Sequence, residues 1–90
     1  MTGSDALLDA LRGQGVEVIF GNPGSTELPL MDALAAPGRP RFVLGLTEPA
    51  VMGMADGYAQ ASGRLGVALV HVQPGMANAM SGVLNAARAR

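Results

Sequence analysis

Three short apolar runs alternate with four longer helical segments, and this order constrains the fold more than any other feature of the chain. The runs span residues 16–20, 41–45 and 66–72. Strands that alternate with helices in this way are typical of a parallel sheet with right-handed crossovers, and such a sheet needs both faces covered. We therefore predict an α/β fold with three α-β-α layers and a parallel sheet, here the first half of a doubly wound domain.

The helices are expected at residues 5–14, at 26–35, from Pro49 to a stop at Gly63, and from 76 to the end of the chain. Ser4 is the expected N-cap of the first helix, and Gly15 suits the position after its end. Pro29 is tolerated in the first turn of the second helix. Thr47 or Glu48 is expected to cap the third, which is apolar on most sides and so is predicted to be a buried helix, with Glu48 at the end of a buried sheet.

Composition points to one small domain that needs more chain around it. Ninety residues bury only a thin core, yet 49% of the residues are hydrophobic and the mean hydropathy is +0.30. This surplus indicates a partner, an oligomer or a missing remainder. Because the last helix has no stop signal, we expect residues 1–90 to be a truncated N-terminal part of a domain.

Charge and residue usage exclude several classes of function. The net charge is −1 and there is no cysteine, so a basic nucleic-acid interface and thiol chemistry are not expected. The chain shows no leader peptide and no apolar run of about 18 residues, so no membrane association is expected and the predicted location is cytoplasmic.

Polar side chains of reactive types gather in the three loops that follow the strands, which meet at one edge of a parallel sheet where ligands bind. They are Asn22, Ser25, Glu27, Thr47, Glu48, His71 and Gln73. Each also has a purely structural interpretation. Ser25 can be a helix cap, His71 can be a core histidine and Glu48 can serve the helix dipole. The loop at 21–25 can bind an anion but lacks the P-loop lysine. A metal site is poorly supported because the chain has one histidine and no clustered carboxylates.

Three segments together resemble a known family. They are G-V-E-V-I-F-G-N-P-G-S-T-E-L-P (15–29), T-E-P-A-V-M-G-M-A-D-G-Y-A-Q-A-S-G (47–63) and V-A-L-V-H-V-Q-P-G-M-A-N-A-M (67–80). In this order they resemble the N-terminal, pyrimidine-binding domain of thiamine-diphosphate-dependent enzymes, the group that contains acetolactate synthase, pyruvate oxidase and benzoylformate decarboxylase. The resemblance covers essentially the whole chain after the first helix.

The resemblance implies a role for Glu48. In the family, the glutamate at this position touches the aminopyrimidine ring of thiamine diphosphate. A buried carboxyl that shares a proton with a ring nitrogen favours the imino tautomer of the exocyclic amine, which then deprotonates the thiazolium carbon. By the same resemblance, further cofactor contacts are expected at Pro23, Gly24, Gly75 and Asn78.

Two residues indicate a subgroup. The resemblance to the benzoylformate decarboxylase branch implies that Ser25 binds the carboxylate of a 2-oxo acid substrate and that His71 transfers protons. Gly24 would let the backbone approach the substrate, and Asn22 would help shape that loop. The expected activity of the intact protein is thus that of a thiamine-diphosphate-dependent carboxy-lyase.

The resemblance also implies parts that the sequence lacks. The family binds the diphosphate and magnesium through a separate C-terminal domain, and its active site forms between subunits, so a homodimer or homotetramer is expected and the chain alone should be inactive. Three alternatives remain: an acetolactate synthase-like carboligase, a non-catalytic α/β module that associates with a partner, and a nucleotide-binding fold that uses the loop at 21–25.

Overall fold

The described residues form three strands and four helices that alternate along the sequence. The computed structural model describes residues 2–24 and 27–88. The elements are α1 (Gly3–Gly13), β1 (Val18–Gly21), α2 (Leu28–Leu34), β2 (Arg41–Leu44), α3 (Glu48–Ser62), β3 (Ala68–Leu69) and α4 (Val72–Arg88). The predicted order of elements is confirmed.

The strands form one parallel sheet in the order β2-β1-β3. In the register of the first pair Val18 lies opposite Arg41, and in that of the second pair Phe20 lies opposite Ala68. All four residues of the central strand β1 are buried. The prediction of an α/β fold with a parallel sheet is therefore confirmed.

Helices cover both faces of the sheet. The side chains of β1 alternate between these two faces, so β1 packs against helices on both sides. Val18 and Phe20 pack with Val51 and Ala55 of α3 on one face. Ile19 points to the other face, where it packs with residues of α1 and α2 such as Leu8 and Leu30. The three α-β-α layers are thus present as predicted.

The cap predicted for α1 was wrong by two residues. Thr2, not Ser4, is the N-cap, and its Oγ1 accepts a hydrogen bond from the backbone N–H of Asp5. Asp5 accepts one in return from the backbone N–H of Thr2, at 3.2 Å. This reciprocal capping box satisfies two amides at once, which a cap at Ser4 would not. Gly15 follows the helix with a φ of 78°, as expected of a residue in that position.

Helix α3 begins and ends where its caps predict, but it is not buried all round. Thr47 caps its start, and Gly63 ends it in the left-handed conformation with a φ of 71°. Only Val51 and Ala55 among its residues are buried. The reason is that the sheet covers one face of α3, and helix α4 covers a second face. On that second face Gly82 of α4 lies directly against Met52 of α3. The remaining surface is formed largely by small residues that face outwards.

The third strand is shorter and the fourth helix longer than predicted. Strand β3 contains only Ala68 and Leu69, and α4 begins at Val72 rather than at Met76. Pro74 and Gly75 therefore lie in the first helical turn instead of a separate loop, since proline is well suited to a position whose amide needs no helical partner. The bond from the Gly75 N–H to the His71 carbonyl, 3.0 Å, closes that turn.

Within residues 2–24 and 27–88, the structure contains no helix both long enough and apolar enough to cross a bilayer.

Candidate functional site at the carboxyl edge of the sheet

The carboxyl ends of the three strands lie side by side and define one edge. The Asn22 N–H donates to the Leu69 carbonyl at 3.0 Å, and the Gly45 N–H donates to the Gly21 carbonyl at 2.9 Å. Each strand continues directly into a loop or helix that carries candidate residues. The edge therefore brings together the loops that the sequence predicted to meet there.

The side chain of Asn22 joins two of these loops. Its Nδ2 donates to the Gly45 carbonyl at 2.9 Å, in a partly buried position. Pro23 and Gly24 follow and are half-buried. Asn22 thus contacts the backbone that leads into α3 and supports the loop on which Gly24 lies.

A first group of site residues forms around His71. The Nδ1 atom of His71 lies 2.8 Å from Oε2 of Glu27, and the same oxygen accepts a hydrogen bond from the Gly24 N–H at 2.8 Å. A side chain at Gly24 would collide with the imidazole ring, so the ring lies directly against the Gly24 backbone. One carboxylate therefore links the loop after β1 to the segment after β3.

Glu27 is a functional candidate to which the sequence had assigned no role. Glu27 is one of the polar residues in the loops that follow the strands. Its partner His71 is 44 positions away, so no local pattern joins the two residues. The available signal was that the only histidine of the chain follows β3 at the same edge. Ser25, predicted to bind a substrate carboxylate, lies outside the described residues.

A second group forms around Glu48, the first residue of α3. Its Oε1 accepts a hydrogen bond from Asn78 Nδ2 at 3.4 Å. A side-chain carbon at Gly75 would lie 3.6 Å from Oε2 of Glu48 and 3.3 Å from the Val70 side chain. Glu48 is half-buried, so the expectation of a buried carboxyl was wrong for this chain. The physical reason is that the helix start stands at the rim of the sheet, where Asn78 and Gly75 of α4 lie beside it.

The two groups are connected through the start of α4. His71 ends the segment that follows β3, and its carbonyl accepts the hydrogen bond from Gly75. Between them Val72 has a φ of 47°, a conformation that is unusual for any residue but glycine and an outlier for a β-branched one. Strained backbone of this kind costs about 1–3 kcal/mol and is concentrated at functional sites. Here it turns the chain sharply between His71 and the helix that carries Gly75 and Asn78.

The residues present fit the pyrimidine part of thiamine diphosphate better than they fit a metal. The Glu48 carboxylate is partly exposed, its bond to Asn78 is long, and Gly75 presents no side chain beside it, so a ring nitrogen can approach the carboxylate. In the part of the chain that the structure describes, no three acidic or histidine side chains gather to hold a metal ion.

A groove in the described part of the chain lies elsewhere. It has a volume of about 600 Å³ and runs between α3, β3 and α4, where Asp56, Arg64 and Gly66 are among its lining residues. Arg64 and Gly66 precede β3, so this groove opens at the opposite edge of the sheet. It contains none of the candidate residues.

Comparison with known proteins identifies relatives for the whole chain. The family described as "Thiamine pyrophosphate enzyme, N-terminal TPP binding domain" matches residues 1–90. The chain is 46% identical over 81 residues to benzoylformate decarboxylase of Pseudomonas aeruginosa, which covers 90% of this chain and 15% of the relative. It is 40% identical over 86 residues to the acetolactate synthase large subunit of Haemophilus influenzae, which covers 96% of this chain and 15% of the relative.

A solved structure agrees with these matches. The thiamine diphosphate-dependent 4-hydroxybenzoylformate decarboxylase of Rhodococcus jostii superposes with a TM-score of 0.85 at 41% identity, over 94% of this chain and 16% of that one. The chain thus spans less than one fifth of the length of these relatives, at 15% for the two curated ones and 16% for the solved structure.

Proposed function

The chain belongs to the family of thiamine pyrophosphate enzymes as their N-terminal TPP binding domain, and from that premise we propose that it works in a 2-oxo acid decarboxylase of the benzoylformate decarboxylase type. In this proposal the chain binds the pyrimidine ring of the cofactor and contributes the residues that move protons. Carboxy-lyase activity then belongs to the complete enzyme, and residues 1–90 alone are inactive.

The observation that carries the proposal is the pairing of His71 with Glu27 at the same sheet edge as Glu48. A decarboxylase must protonate the carbon from which carbon dioxide leaves, so it needs a proton donor beside the group that activates the cofactor. Histidine is the side chain best suited to this transfer near neutral pH. The Glu27 carboxylate and the contact with Gly24 hold the imidazole at that edge.

Each residue of the edge has a proposed part in this chemistry. When bound, thiamine diphosphate supplies the carbon nucleophile and the electron sink for decarboxylation. Glu48 would share a proton with a nitrogen of the pyrimidine ring, and Asn78 would orient its carboxylate. Pro23 and Gly24 line the approach to the cofactor and substrate, with Asn22 holding their loop in place, and Gly75 leaves room beside Glu48.

Several parts of the proposal lie outside the described residues or outside the chain. Ser25 binds the carboxylate of the 2-oxo acid. A diphosphate-binding domain beyond this chain holds the diphosphate and magnesium. The complete enzyme is a cytoplasmic homodimer or homotetramer.

An acetolactate synthase-like carboligase is the second candidate, and the 40% identity to the Haemophilus influenzae relative favours it. The two candidates differ in the use of His71, because the resemblance that pointed to a decarboxylase rests on Ser25 and on this histidine. In the complete enzyme, His71→Ala is expected to reduce decarboxylation of an aromatic 2-oxo acid strongly. Unchanged decarboxylation in that variant would remove the proton-transfer role.

The test of the central role is Glu48→Gln in the complete enzyme, with carbon dioxide release from benzoylformate as the measurement. We expect the turnover number to fall by roughly 10²- to 10⁴-fold, because the amide cannot share a proton with the ring nitrogen as the carboxyl does. Glu17→Gln is the matched control, since Glu17 is exposed and pairs with Arg64 at the other end of the sheet. Full activity in Glu48→Gln would contradict the proposal.

A further inference from the structure

We propose that Glu27 is a positioning residue that fixes both the orientation and the tautomer of His71. The kinetic part of this inference rests on the proposed function, whereas the tautomer is a property of the folded chain. The inference follows from three contacts that converge on one carboxylate oxygen and one ring.

The carboxylate of Glu27 is itself held in place. Its Oε2 accepts from the Gly24 N–H at 2.8 Å, while the Glu27 N–H donates to the Gly24 carbonyl at 3.2 Å. These two bonds close a small ring between residues three positions apart. Only 15% of the Glu27 side chain is exposed, so the carboxylate is fixed against the loop rather than free in water.

The contact with His71 determines which ring nitrogen carries the proton. An ionised carboxylate can only accept hydrogen bonds, and its Oε2 lies 2.8 Å from Nδ1. Paired with an ionised Glu27, the neutral imidazole carries its proton on Nδ1, which leaves the lone pair on Nε2. The structure thus assigns proton exchange to Nε2.

The ring is also held across its face. The imidazole lies against the Gly24 backbone, which leaves no room for a side chain there. A rotation of the ring about its bond to Cβ would separate Nδ1 from Glu27. The carboxylate and the glycine therefore act together, one on the edge of the ring and the other on its face.

The first test is nuclear magnetic resonance of the imidazole nitrogens, using the neutral ring. His71 is the only histidine in the sequence, so its signals need no assignment. We expect the Nδ1–H tautomer in the unmodified protein and a mixture of both tautomers in Glu27→Ala. Glu17→Ala, which removes an exposed carboxylate, should leave the Nδ1–H tautomer unchanged.

Glu27→Gln separates hydrogen bonding from charge. If the amide group of this variant presented its NH₂ to His71, it would also face the Gly24 N–H with a second donor. The Gly24 N–H therefore selects the orientation in which the amide oxygen accepts both bonds. We expect Glu27→Gln to keep the Nδ1–H tautomer that Glu27→Ala loses. An Nε2–H tautomer in the unmodified protein, or an unchanged tautomer in Glu27→Ala, would overturn the inference.

The second test is kinetic and uses the complete enzyme, which keeps the inference testable if a variant of the short chain does not fold. We expect kcat in Glu27→Ala to fall by about 10- to 100-fold, the range found when a group that orients a metal-bound histidine is removed. In a His71→Ala background, Glu27→Ala should cause no additional loss, because its effect acts through the ring. A purely structural role would instead add its loss in both backgrounds and would contradict the inference.

The proposed function and the role of Glu27 can be rejected independently of each other. Absence of 2-oxo acid decarboxylation in the unmodified complete enzyme would reject the proposed function. The tautomer measurement would still decide whether Glu27 positions His71.

Discussion

At the scale of single residues, Gly24 shows how closely the two loops of the candidate site approach each other. A methyl group on its Cα would fall inside the imidazole of His71. The chain therefore needs glycine at this position because of a tertiary contact. Because Gly24 has no side chain, its backbone N–H, which donates to Glu27, also lies close to the ring.

Replacing Gly24 with alanine tests this contact. We expect the free energy of unfolding to fall by about 1–3 kcal/mol, as for other substitutions that overfill a packed site. Gly53→Ala is the matched control, because a Cβ at Gly53 in α3 has no described atom within 4 Å beyond its chain neighbours and the adjacent backbone of its own helix. That variant should gain about 0.5–1 kcal/mol, the benefit of alanine over glycine within a helix. Urea denaturation measures both, and equal effects of the two variants would contradict the packing argument.

At the scale of secondary-structure elements, helix α1 is anchored at its start by Asp5. The carboxylate accepts a hydrogen bond from the Thr2 N–H and lies 2.9 Å from a guanidinium nitrogen of Arg39. Arg39 also pairs with Asp9 at 3.0 Å, so it ties the segment before β2 to one side of α1. The hydrogen bonds from Thr2, and then the Arg39 charge, hold the pKa of Asp5 below its usual value of 3.8.

The lowered pKa predicts how acid affects this helix. Because the folded state favours ionised Asp5, its contribution to stability is fully present well above pH 3.8 and is lost as the pH falls below that value toward the folded pKa. Asp5→Asn should therefore destabilise the chain at neutral pH, and the difference from the unmodified protein should shrink in acid. Thermal unfolding of both proteins at neutral pH and in acid measures this difference in stability. A difference that does not depend on pH would contradict the prediction.

At the scale of the whole molecule, the described residues form two small core clusters on opposite faces of one sheet. Among the described residues, the large side chains that are fully buried are Leu8 in one cluster and Val51 in the other. Each cluster depends on β1, whose side chains alternate between them. The loss of either anchor therefore removes a large part of one face.

Leu8→Ala measures how much stability one such anchor supplies. We expect a loss of about 2–5 kcal/mol, the range for leucine removed from a packed core. Leu46→Ala makes the same chemical change at a position that is 85% exposed, and it should alter stability by no more than about 0.5 kcal/mol. Denaturant unfolding gives both values, and comparable losses would show that Leu8 is not a core anchor.

The apolar surplus expected from composition remains on the surface. Met76, Met80 and Leu84 form a stripe along α4 and are 51%, 43% and 58% exposed. Leu44 and Leu46, at the edge of the sheet, are also exposed. The core of the chain thus leaves a substantial part of its apolar surface in contact with solvent.

The sequence by itself determined the order of the elements and the ends of α3, because the interactions that set these ends are local. The cap at Thr47 and the left-handed glycines at Gly15 and Gly63 involve residues at most a few positions apart. The alternation of helices and strands likewise implied a parallel sheet and the edge at which its loops meet. Where a local prediction was wrong, as for Ser4, another nearby residue formed a better cap.

Only the tertiary structure decided which side chains meet at that edge. The bonds that build the site join residues 23, 30 and 44 positions apart, namely Asn22 with Gly45, Glu48 with Asn78, and Glu27 with His71. The tertiary structure also decided the short length of β3 and the early start of α4. Strand β3 pairs with β1 at only two positions, and α4 begins soon after that pairing ends. Contacts of this kind depend on how the strands are placed and how closely the loops pack. No local pattern of residues encodes the distance between side chains that lie far apart in the sequence.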